Sequence, residues 1–405
     1  MAAPLGVKAW RNAVLAIFTA NGIAVATLLS RLPGIRDQLE LEPGQVGFFL
    51  MWFAGGSIVG LLFSGQIVHA LGPRRAMRIA LPTAGLGLAL AGIGAGLLEL
   101  FAVAVVGGAV FGAFSGINDV SMNVDGAANE RAIGRNIMPW FHAGFSLGAV
   151  IGAGLGSAAA AAQLPIWLHF LVAGAFTALV GLVAPSWSPR EDATVDAPPK
   201  PSLPERLAVW KEPRTLLIGV LVLCFAYVEG GANDWLALAL VDGRGFDEAG
   251  GALMLGVFTA AMTLGRIAGP WVLDRFGRVP VLTASGALAV LGLALVIWIP
   301  SVPVIWIGTI LWGLGAALGF PVGMSAAADI PSHAAARVSA VAFVGYLAFL
   351  AGPPVIGFVG EHIGVLLALV ILLGLSVVAV VVAPAARPPA PGRPTGARVV
   401  SQEPL

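Results

Sequence analysis

One stretch of the sequence places a carboxylate and an amide inside an apolar segment. The run from Leu100 to Val124 is largely apolar, but it contains Asp119 and, four residues later, Asn123. Residues four apart lie on the same face of a helix, so we expect these two side chains to point the same way. A charge near the centre of a bilayer costs ~2.5–3.5 kcal/mol on insertion scales. We therefore interpret Asp119 as a functional residue.

The chemistry that such an acid supplies is proton or substrate binding. A carboxylate that is withdrawn from water binds a proton more readily than an exposed one, which suits a group that takes up and releases protons in turn. The alternative is a structural role, in which Asp119 pairs with a buried arginine or accepts a hydrogen bond at a helix end.

A second polar cluster lies in the other half of the chain. Glu229 lies about halfway along an apolar segment that begins near Thr215, and Asn233 follows it on the same helical face. Glu229 could serve as a second proton site or accept hydrogen bonds from substrate hydroxyls. The alternative is an interhelical contact that closes an outer gate. Asp234 and Trp235 lie further outward, and with Asn233 they are candidate substrate ligands.

Three more polar side chains are candidates for the same pathway. An imidazole titrates near neutral pH, so His142 could relay protons or pair with Asp119. A histidine at the end of a span can equally be a hydrogen-bonded interface residue. Asn21, in the middle of the first apolar segment, and Asn118 are neutral amides that could bind substrate, as could Asn123.

Arg266 lies within an apolar segment rather than in a loop. An arginine at such a position must pair with an acid or reach water. Asp119 and Asp274 are the possible partners, and we expect Arg266 to have a gating or structural role.

Composition assigns the chain to the integral membrane proteins. Of its 405 residues, 58% are hydrophobic and 11% are charged, whereas soluble domains carry about 25% charged residues. The net charge of +1 comes from scattered basic residues, so we expect no nucleic-acid partner. A length of 405 residues accommodates roughly a dozen spans of ~20 residues. We predict twelve apolar segments, at about 12–31, 44–69, 76–98, 100–124, 137–160, 164–185, 215–240, 250–273, 279–299, 303–327, 338–359 and 363–384.

The segments fall into two sets of six. Between the sixth and the seventh lies a stretch rich in proline and charge, Ser186 to Pro213, which we interpret as a partly disordered linker. The predicted organisation is a six-helix bundle at 1–185, a cytoplasmic linker at 186–213, a second six-helix bundle at 214–384 and a cytoplasmic tail at 385–405.

The positive residues predict the orientation. If the N-terminus is cytoplasmic, only Arg31, Arg36 and Arg244 of the 22 lysines and arginines lie outside, and Arg266 lies within a span. Because basic residues concentrate in cytoplasmic loops, we expect both termini inside, in the cytoplasmic membrane.

The two halves resemble copies of each other. The loop His69–Arg74 recurs as Asp274–Arg278, and the loop starts are 205 positions apart. Gly148–Gly152 has a counterpart in Gly352–Gly357, with starts 204 apart. A nearly constant offset at separate places indicates a duplicated six-helix unit, for which the substrate site is expected at the interface of the halves near mid-bilayer.

Several of these pieces resemble a known family. The loop Asp274–Arg278 resembles the signature loop of major facilitator superfamily transporters, although the first copy has His69 where that motif usually carries Asp. Three further pieces resemble the fucose-permease-like branch, which includes YbjJ-like inner-membrane proteins and rhizopine-transport proteins. They are Asn118–Asn123, Phe141–Gly148 and Glu229–Trp235.

The resemblance implies an all-α membrane protein, with twelve transmembrane helices in two pseudo-symmetric six-helix bundles. It also implies that the signature loops are conformational latches that bind no substrate. Together with Arg266, the residues that we expect to gate the transporter are His69, Gly72, Arg74, Asp274, Arg275, Gly277 and Arg278.

The branch implies a sugar-like substrate. Its sugar permeases carry a fourth-span acid that matches Asp119, and also a first-span acid. No acid lies between Ala13 and Leu29 here, which argues against fucose itself. If Asp119 couples protons, it therefore does so with a different partner, for which Glu229 is the first choice.

We therefore predict a secondary transporter that couples protons to the movement of a small polar, sugar-like solute by alternating access. The sequence contains no cysteine–histidine metal cluster and no phosphate-binding loop ending in Gly-Lys-Ser/Thr, so we expect no enzyme activity, metal or cofactor. The expected partners are the solute, protons and the lipid bilayer, and we expect a monomer.

Two alternatives remain open. The first is proton-driven efflux of a drug or secondary metabolite. Such antiporters typically carry Gly-Pro in the fifth span, where this chain reads Gly148-Ala149, so the sequence argues slightly against export. The second is a non-transporting membrane receptor or scaffold, which would have no use for the intramembrane acids Asp119 and Glu229.

Overall fold

The computed structural model describes residues 5–134, 137–189, 208–330 and 334–388, and all regular structure in these ranges is helical. Twelve of the described helical segments are long and apolar enough to cross a membrane. The predicted all-α fold with twelve spans is thereby confirmed.

The spans alternate in direction, so the chain enters and leaves the bundle at the same membrane face. We call this the terminal face and the opposite one the distal face. The helices of the first six spans are Leu5–Ser30, Pro43–Leu71, Pro73–Gly96, Phe101–Ile133, Met138–Ala161 and Ile166–Val183. The helices of the other six are Pro213–Arg244, Glu248–Phe276, Arg278–Trp298, Val302–Ala316 with Gly319–Ala327, Ala334–Ile363, and Val365–Ala368 with Val370–Val382. Short helices cover Leu32–Gln38, Ala184–Trp187, Val209–Lys211 and Ala383–Ala386.

Most of the predicted linker lies outside the described residues, as does most of the predicted tail. The described chain stops at residue 189, resumes at 208 just before the short helix Val209–Lys211, and ends at 388.

Small residues bring the fourth span directly against the second. A Cβ atom added to Gly60 would lie 1.9 Å from the carbonyl oxygen of Ala113, and one added to Gly112 would lie 2.0 Å from that of Phe53. Such close packing of two backbones is possible only for very small residues, and it is a principal source of helix association in lipid. It fixes the fourth span, and with it Asp119, beside the second span.

The loops after the second and eighth spans adopt the same backbone conformation. Gly72 has φ 75° and ψ 155°, and Gly277 has φ 77° and ψ 167°. This region of backbone space is essentially restricted to glycine. The match between residues 205 positions apart supports the duplication that the sequence predicts.

A pair of hydrogen bonds repeats in the same way. In the first half, Trp10 Nε1 donates to Asp125 Oδ2 over 2.9 Å. In the second half, Arg214 Nη2 donates to Asp329 Oδ2 over 2.8 Å. The two donors and the two acceptors are each 204 positions apart. Each bond ties the first helix of a half to the terminal-face end of its fourth helix.

The fourth helix is longer than the apolar run that predicts it. The helix continues to Ile133, so Asp119 lies near the middle of this helix. The polar residues of the added turns have partners in the protein. Asp125 also accepts a bond from Ser188 Oγ, and Glu130 accepts from the backbone N–H groups of Ile137 and Met138. Since these bonds replace those that water would make, the helix extends past the apolar residues.

We expect that replacement of Gly277 by a residue with a side chain lowers the stability of the protein. Gly277→Ala forces a side chain into the glycine-only region and should destabilise the fold by ~1–3 kcal/mol, which would lower the midpoint of thermal unfolding in detergent. Gly65→Ala is the matched control, because an added Cβ there meets nothing within 4 Å and the position is helical. Equal midpoints for the two variants would contradict this assignment of strain.

Candidate substrate and proton site

A cavity of about 520 Å³ separates the fifth and eighth spans in their terminal-face halves. On the eighth span, its lining includes Arg266 and residues three or four positions to either side, so one helical face borders it. The lining residues are Trp140, His142, Ala143, Ser146, Thr263, Arg266, Ile267 and Pro270. The cavity thus lies between the two halves and combines an aromatic ring, two hydroxyl groups, an imidazole and a guanidinium group.

Arg266 pairs with Glu229, which corrects the predicted partners Asp119 and Asp274. Its Nη2 donates to Glu229 Oε1 over 2.7 Å, and its Nε donates to the carbonyl oxygen of Ala317. The seventh and eighth spans are neighbours within one half, so this acid lies closer to Arg266 than either predicted one. The pair compensates the positive charge inside the membrane.

His142 borders the cavity from the first half. Its ring contacts Phe18 edge-on, with centroids 5.3 Å apart, and it lines the same cavity as Arg266. Among the described residues it forms no hydrogen bond with Asp119, so the predicted pairing of these two residues is not observed.

Asp119 and Asn123 share a helical face, as predicted. The Asn123 side-chain amide donates to the Asp119 backbone carbonyl over 2.8 Å and lies 3.4 Å from Oδ1 of its carboxylate. Within the described part of the chain, no lysine, arginine or histidine forms an ion pair with Asp119. The charge of Asp119 is therefore uncompensated by a cation, whereas Arg266 compensates the charge of Glu229.

Three of the predicted substrate ligands are buried within their own halves. Asn118 and Trp235 are fully buried, and Asn21 is 4% exposed. Asn118 donates to the sulfur of Met122 one turn further on. Each of the three has a polar atom without a hydrogen-bond partner among the described residues. None of them lines the cavity between the fifth and eighth spans.

Asn233 and Asp234 are half-buried on the seventh span, between Glu229 and the distal face. These two candidates therefore lie on the distal side of the Arg266–Glu229 pair.

The predicted gating loops lie at the terminal face, and His69 and Asp274 are exposed there. Arg74 donates to the carbonyl oxygen of Ser188 over 2.7 Å, and Arg278 donates to Asp329 over 2.6 Å. The guanidinium of Arg275 lies 5.7 Å from the ring centroid of its neighbour Phe276. Each of these contacts stays within one half of the molecule.

Ion pairs join the halves at the distal face instead, and the sequence analysis missed them. Arg31 Nε contacts Glu248 Oε1 at 2.5 Å, and Arg31 itself is 3% exposed. Arg36 binds both carboxylate oxygens of Asp242, at 2.8 and 2.5 Å. The sequence predicts only that Arg31 and Arg36 lie at the outer face. The available signal was that the acidic residues Asp242 and Glu248 fall at the same predicted face. We call Arg31, Arg36, Asp242 and Glu248 the distal gate.

Further contacts keep this face closed. Ser157 Oγ donates to the backbone carbonyl of Ala249, which joins the fifth and eighth spans. Burial alone would lower the pKa of Arg36, but its hydrogen bonds and its attraction to Asp242 and Asp37 outweigh this and raise the pKa above the ordinary value. The described hydrogen bonds and ion pairs between the halves all lie at the distal face, whereas the cavity lies towards the terminal face.

Comparison with known sequences identifies a family. Residues 13–346 and 236–404 match the Major Facilitator Superfamily. The uncharacterized transporter y4wD of Sinorhizobium fredii is 32% identical over 358 residues, which cover 87% of this chain and 91% of that protein. An uncharacterized MFS-type transporter of Yersinia pestis is 30% identical, with coverage of 86% and 88%. The membrane protein MosC of Rhizobium meliloti is 29% identical, with coverage of 92% and 89%.

Solved structures share the fold. The nucleoside transporter NupG superposes with a TM-score of 0.74 at 15% identity, over 95% of this chain and 99% of that one. The fucose permease FucP, in an outward conformation, superposes with a TM-score of 0.63 at 17% identity, over 93% and 98%. At these identities the likeness establishes the fold alone.

Removal of an ion pair of the distal gate should shift the protein towards a conformation that is open at the distal face. Glu248→Gln leaves Arg31 buried beside a neutral group, and removal of one partner of a buried pair costs up to ~3–5 kcal/mol. We expect the halves to separate at the distal face. Spin labels at Leu98→Cys and Val302→Cys, which lie in opposite halves and are exposed, should then report longer distances by pulsed electron resonance.

Asp247→Asn is the matched control for this variant. The Asp247 side chain accepts a hydrogen bond from the backbone N–H of Gly250 in its own helix and does not reach the other half. An identical distance distribution for Glu248→Gln and the unmodified gate would rule out this ion pair as a closing contact.

Proposed function

Because this chain belongs to the Major Facilitator Superfamily and is a multi-pass membrane transporter, we propose that it couples protons to the movement of a small, polar, sugar-like solute. It acts by alternating access in the cytoplasmic membrane, as a monomer with both termini in the cytoplasm. The observation that carries this proposal is the unequal charge compensation of its two mid-membrane acids.

The two mid-membrane acids have different partners. Glu229 is neutralised by Arg266 at 2.7 Å, whereas Asp119 contacts the amide of Asn123 and has no cation as an ion-pair partner in the described part of the chain. A carboxylate without a cation is disfavoured as an anion wherever water is excluded. Asp119 therefore takes up a proton when water is excluded from its surroundings and releases the proton when water reaches it.

The arrangement of the halves supports a state that is open to the cytoplasm. The distal gate joins the halves at one face, while the cavity of about 520 Å³ lies on the side of the termini. The distribution of basic residues assigns that side to the cytoplasm. In the opposite state the distal gate separates, and the signature loops His69–Arg74 and Asp274–Arg278 approach at the terminal face.

The cavity lining supports a polyhydroxylated solute. Ser146 and Thr263 offer hydroxyl groups, and Trp140 offers an aromatic face on which an apolar ring face can stack. The solved structures of similar fold include a fucose:proton symporter and a nucleoside transporter. Both of those solutes contain a sugar, which makes sugars and their derivatives the first class to test.

The direct test is uptake into proteoliposomes under an imposed pH gradient, with a panel of sugars, polyols, nucleosides and antibiotics. We expect a sugar or polyol to accumulate when the outside is acidic. Extrusion of an antibiotic in exchange for protons would favour the efflux alternative. If no panel solute is transported, the proposed substrate class is wrong. Binding of a panel solute without its transport would favour a receptor.

Asp119→Asn should uncouple transport from the gradient. One pH unit is worth about 1.4 kcal/mol, so one proton per solute supports roughly tenfold accumulation, and the variant should reach no accumulation while it still exchanges solute. Glu40→Gln is the control, because this residue is exposed and lies outside the spans. Accumulation by Asp119→Asn equal to that of the unmodified protein would remove Asp119 from coupling.

A double-mutant cycle tests the role of the Arg266–Glu229 pair. Arg266→Gln or Glu229→Gln alone leaves one charge uncompensated within the membrane and should lower the unfolding midpoint in detergent. The double variant should recover stability but not transport, because the cavity has lost its guanidinium. Additive stability losses would contradict a direct pair, and full transport by the double variant would assign both residues to structure only.

A further inference from the structure

The eleventh span presents one stripe of residues to the second span, and this stripe forms part of the contact between the halves. A Cβ atom on Gly44 would lie 2.6 Å from the Glu361 carboxylate, one on Gly47 would lie 2.7 Å from the carbonyl oxygen of Pro353, and one on Gly55 would lie 3.7 Å from Leu350. The stripe residues Leu350, Pro353, Gly357 and Glu361 follow a helical period, so they share one face.

Tyr346 is the next residue of that stripe towards the terminal face. It lies four positions before Leu350 and seven before Pro353, so its side chain projects towards the first half. It is 40% exposed, and its hydroxyl group makes no hydrogen bond among the described residues. In lipid an unpartnered polar group is costly, so a tyrosine in the middle of a span is better accommodated where it faces water.

Asp119 reaches the same place from the fourth span. Gly112 and Gly116 of that span pack against the backbone of the second span at Phe53 and Ser57, and Asp119 continues this face by one turn. Tyr346 and Asp119 therefore continue two helix faces that pack against the same part of the second span, near Gly55 and Ser57. The two residues belong to opposite halves. They lie beside the second span, on the terminal-face side of the contacts that Gly44, Gly47 and Gly55 make with the eleventh span.

We propose that Tyr346 is a substrate-positioning residue that, together with Asp119, holds one hydroxyl group of the solute between the two halves. The phenol donates a hydrogen bond to the solute oxygen, and the same hydroxyl group of the solute donates a hydrogen bond to the carboxyl group of Asp119. This proposal rests on the proposed function, because it names the partner that completes the proton-binding acid. It also supplies the partner of Asp119 that neither the first span nor Glu229 provides.

The other tyrosine of the chain has a different environment. Tyr227 is 9% exposed, and its hydroxyl donates to the backbone carbonyl of Gly352 within the second half. Tyr227→Phe therefore removes the same atom as Tyr346→Phe without touching the space between the halves. The chain thus contains its own matched control.

The first arm of the test requires no solute. The only cysteine, Cys224, is buried, so Cys224→Ala gives a background without thiols. In that background we expect Asp119→Cys with Tyr346→Cys to be cross-linked by a short bis-methanethiosulfonate reagent, and Asp119→Cys with Tyr227→Cys not to be. Absence of a cross-link in the first pair would overturn the proposal, whether or not the protein transports any panel solute.

The second arm measures exchange of the panel solute that the unmodified protein moves. Tyr346→Phe should raise KM roughly tenfold, the effect of one lost hydrogen bond to a polar group, with the maximal rate within about twofold. Tyr227→Phe should leave KM unchanged. An unchanged KM for Tyr346→Phe would overturn the positioning role. If the unmodified protein moves no panel solute, the transport proposal fails by itself, and the cross-link still decides the placement of Tyr346.

Discussion

A charge that this chain carries into the membrane needs a compensating partner, and that requirement explains the contacts of its intramembrane ions. Asp125 receives a hydrogen bond from Trp10 of the first helix, and Arg266 is held by Glu229. Such compensation is what permits charge inside a bilayer. Against this background, Asp119 stands out, since the described residues give it an amide but no cation. The same rule that explains the structural ions thus identifies the group that is free to exchange a proton.

Glycine packing holds each half together, and the interface between the halves combines such packing, as at Gly47 and Pro353, with polar contacts. Within each half, glycine lets backbones meet, as at Gly60 and Gly112, and such packing cannot be undone in small steps. Between the halves, ion pairs and a hydrogen bond lie at the distal face, including the buried contact of Arg31 with Glu248. Discrete polar contacts can be exchanged for water when that face opens. Rigid halves and a separable interface are what alternating access needs.

Helical periodicity and charge placement predicted much of this architecture, whereas contacts between distant segments could not be predicted. The Asp119–Asn123 contact follows from four-residue spacing, and the middle position of Glu229 follows from the length of its apolar run. The partner of Arg266 depends on which spans become neighbours, which no local pattern encodes, so both predicted partners were wrong. Asn118 illustrates the sensitivity of a helical face, because one residue from Asp119 is a rotation of about 100° and the amide turns into the half.

The central claim is that a proton moves with the solute. The most direct measurement is the fluorescence of a pH indicator trapped inside proteoliposomes, recorded when solute is added outside without any imposed gradient. Proton-coupled entry predicts that the interior acidifies in step with solute uptake, and that an ionophore which dissipates the pH difference increases the uptake. Solute uptake with a constant internal pH would contradict the account.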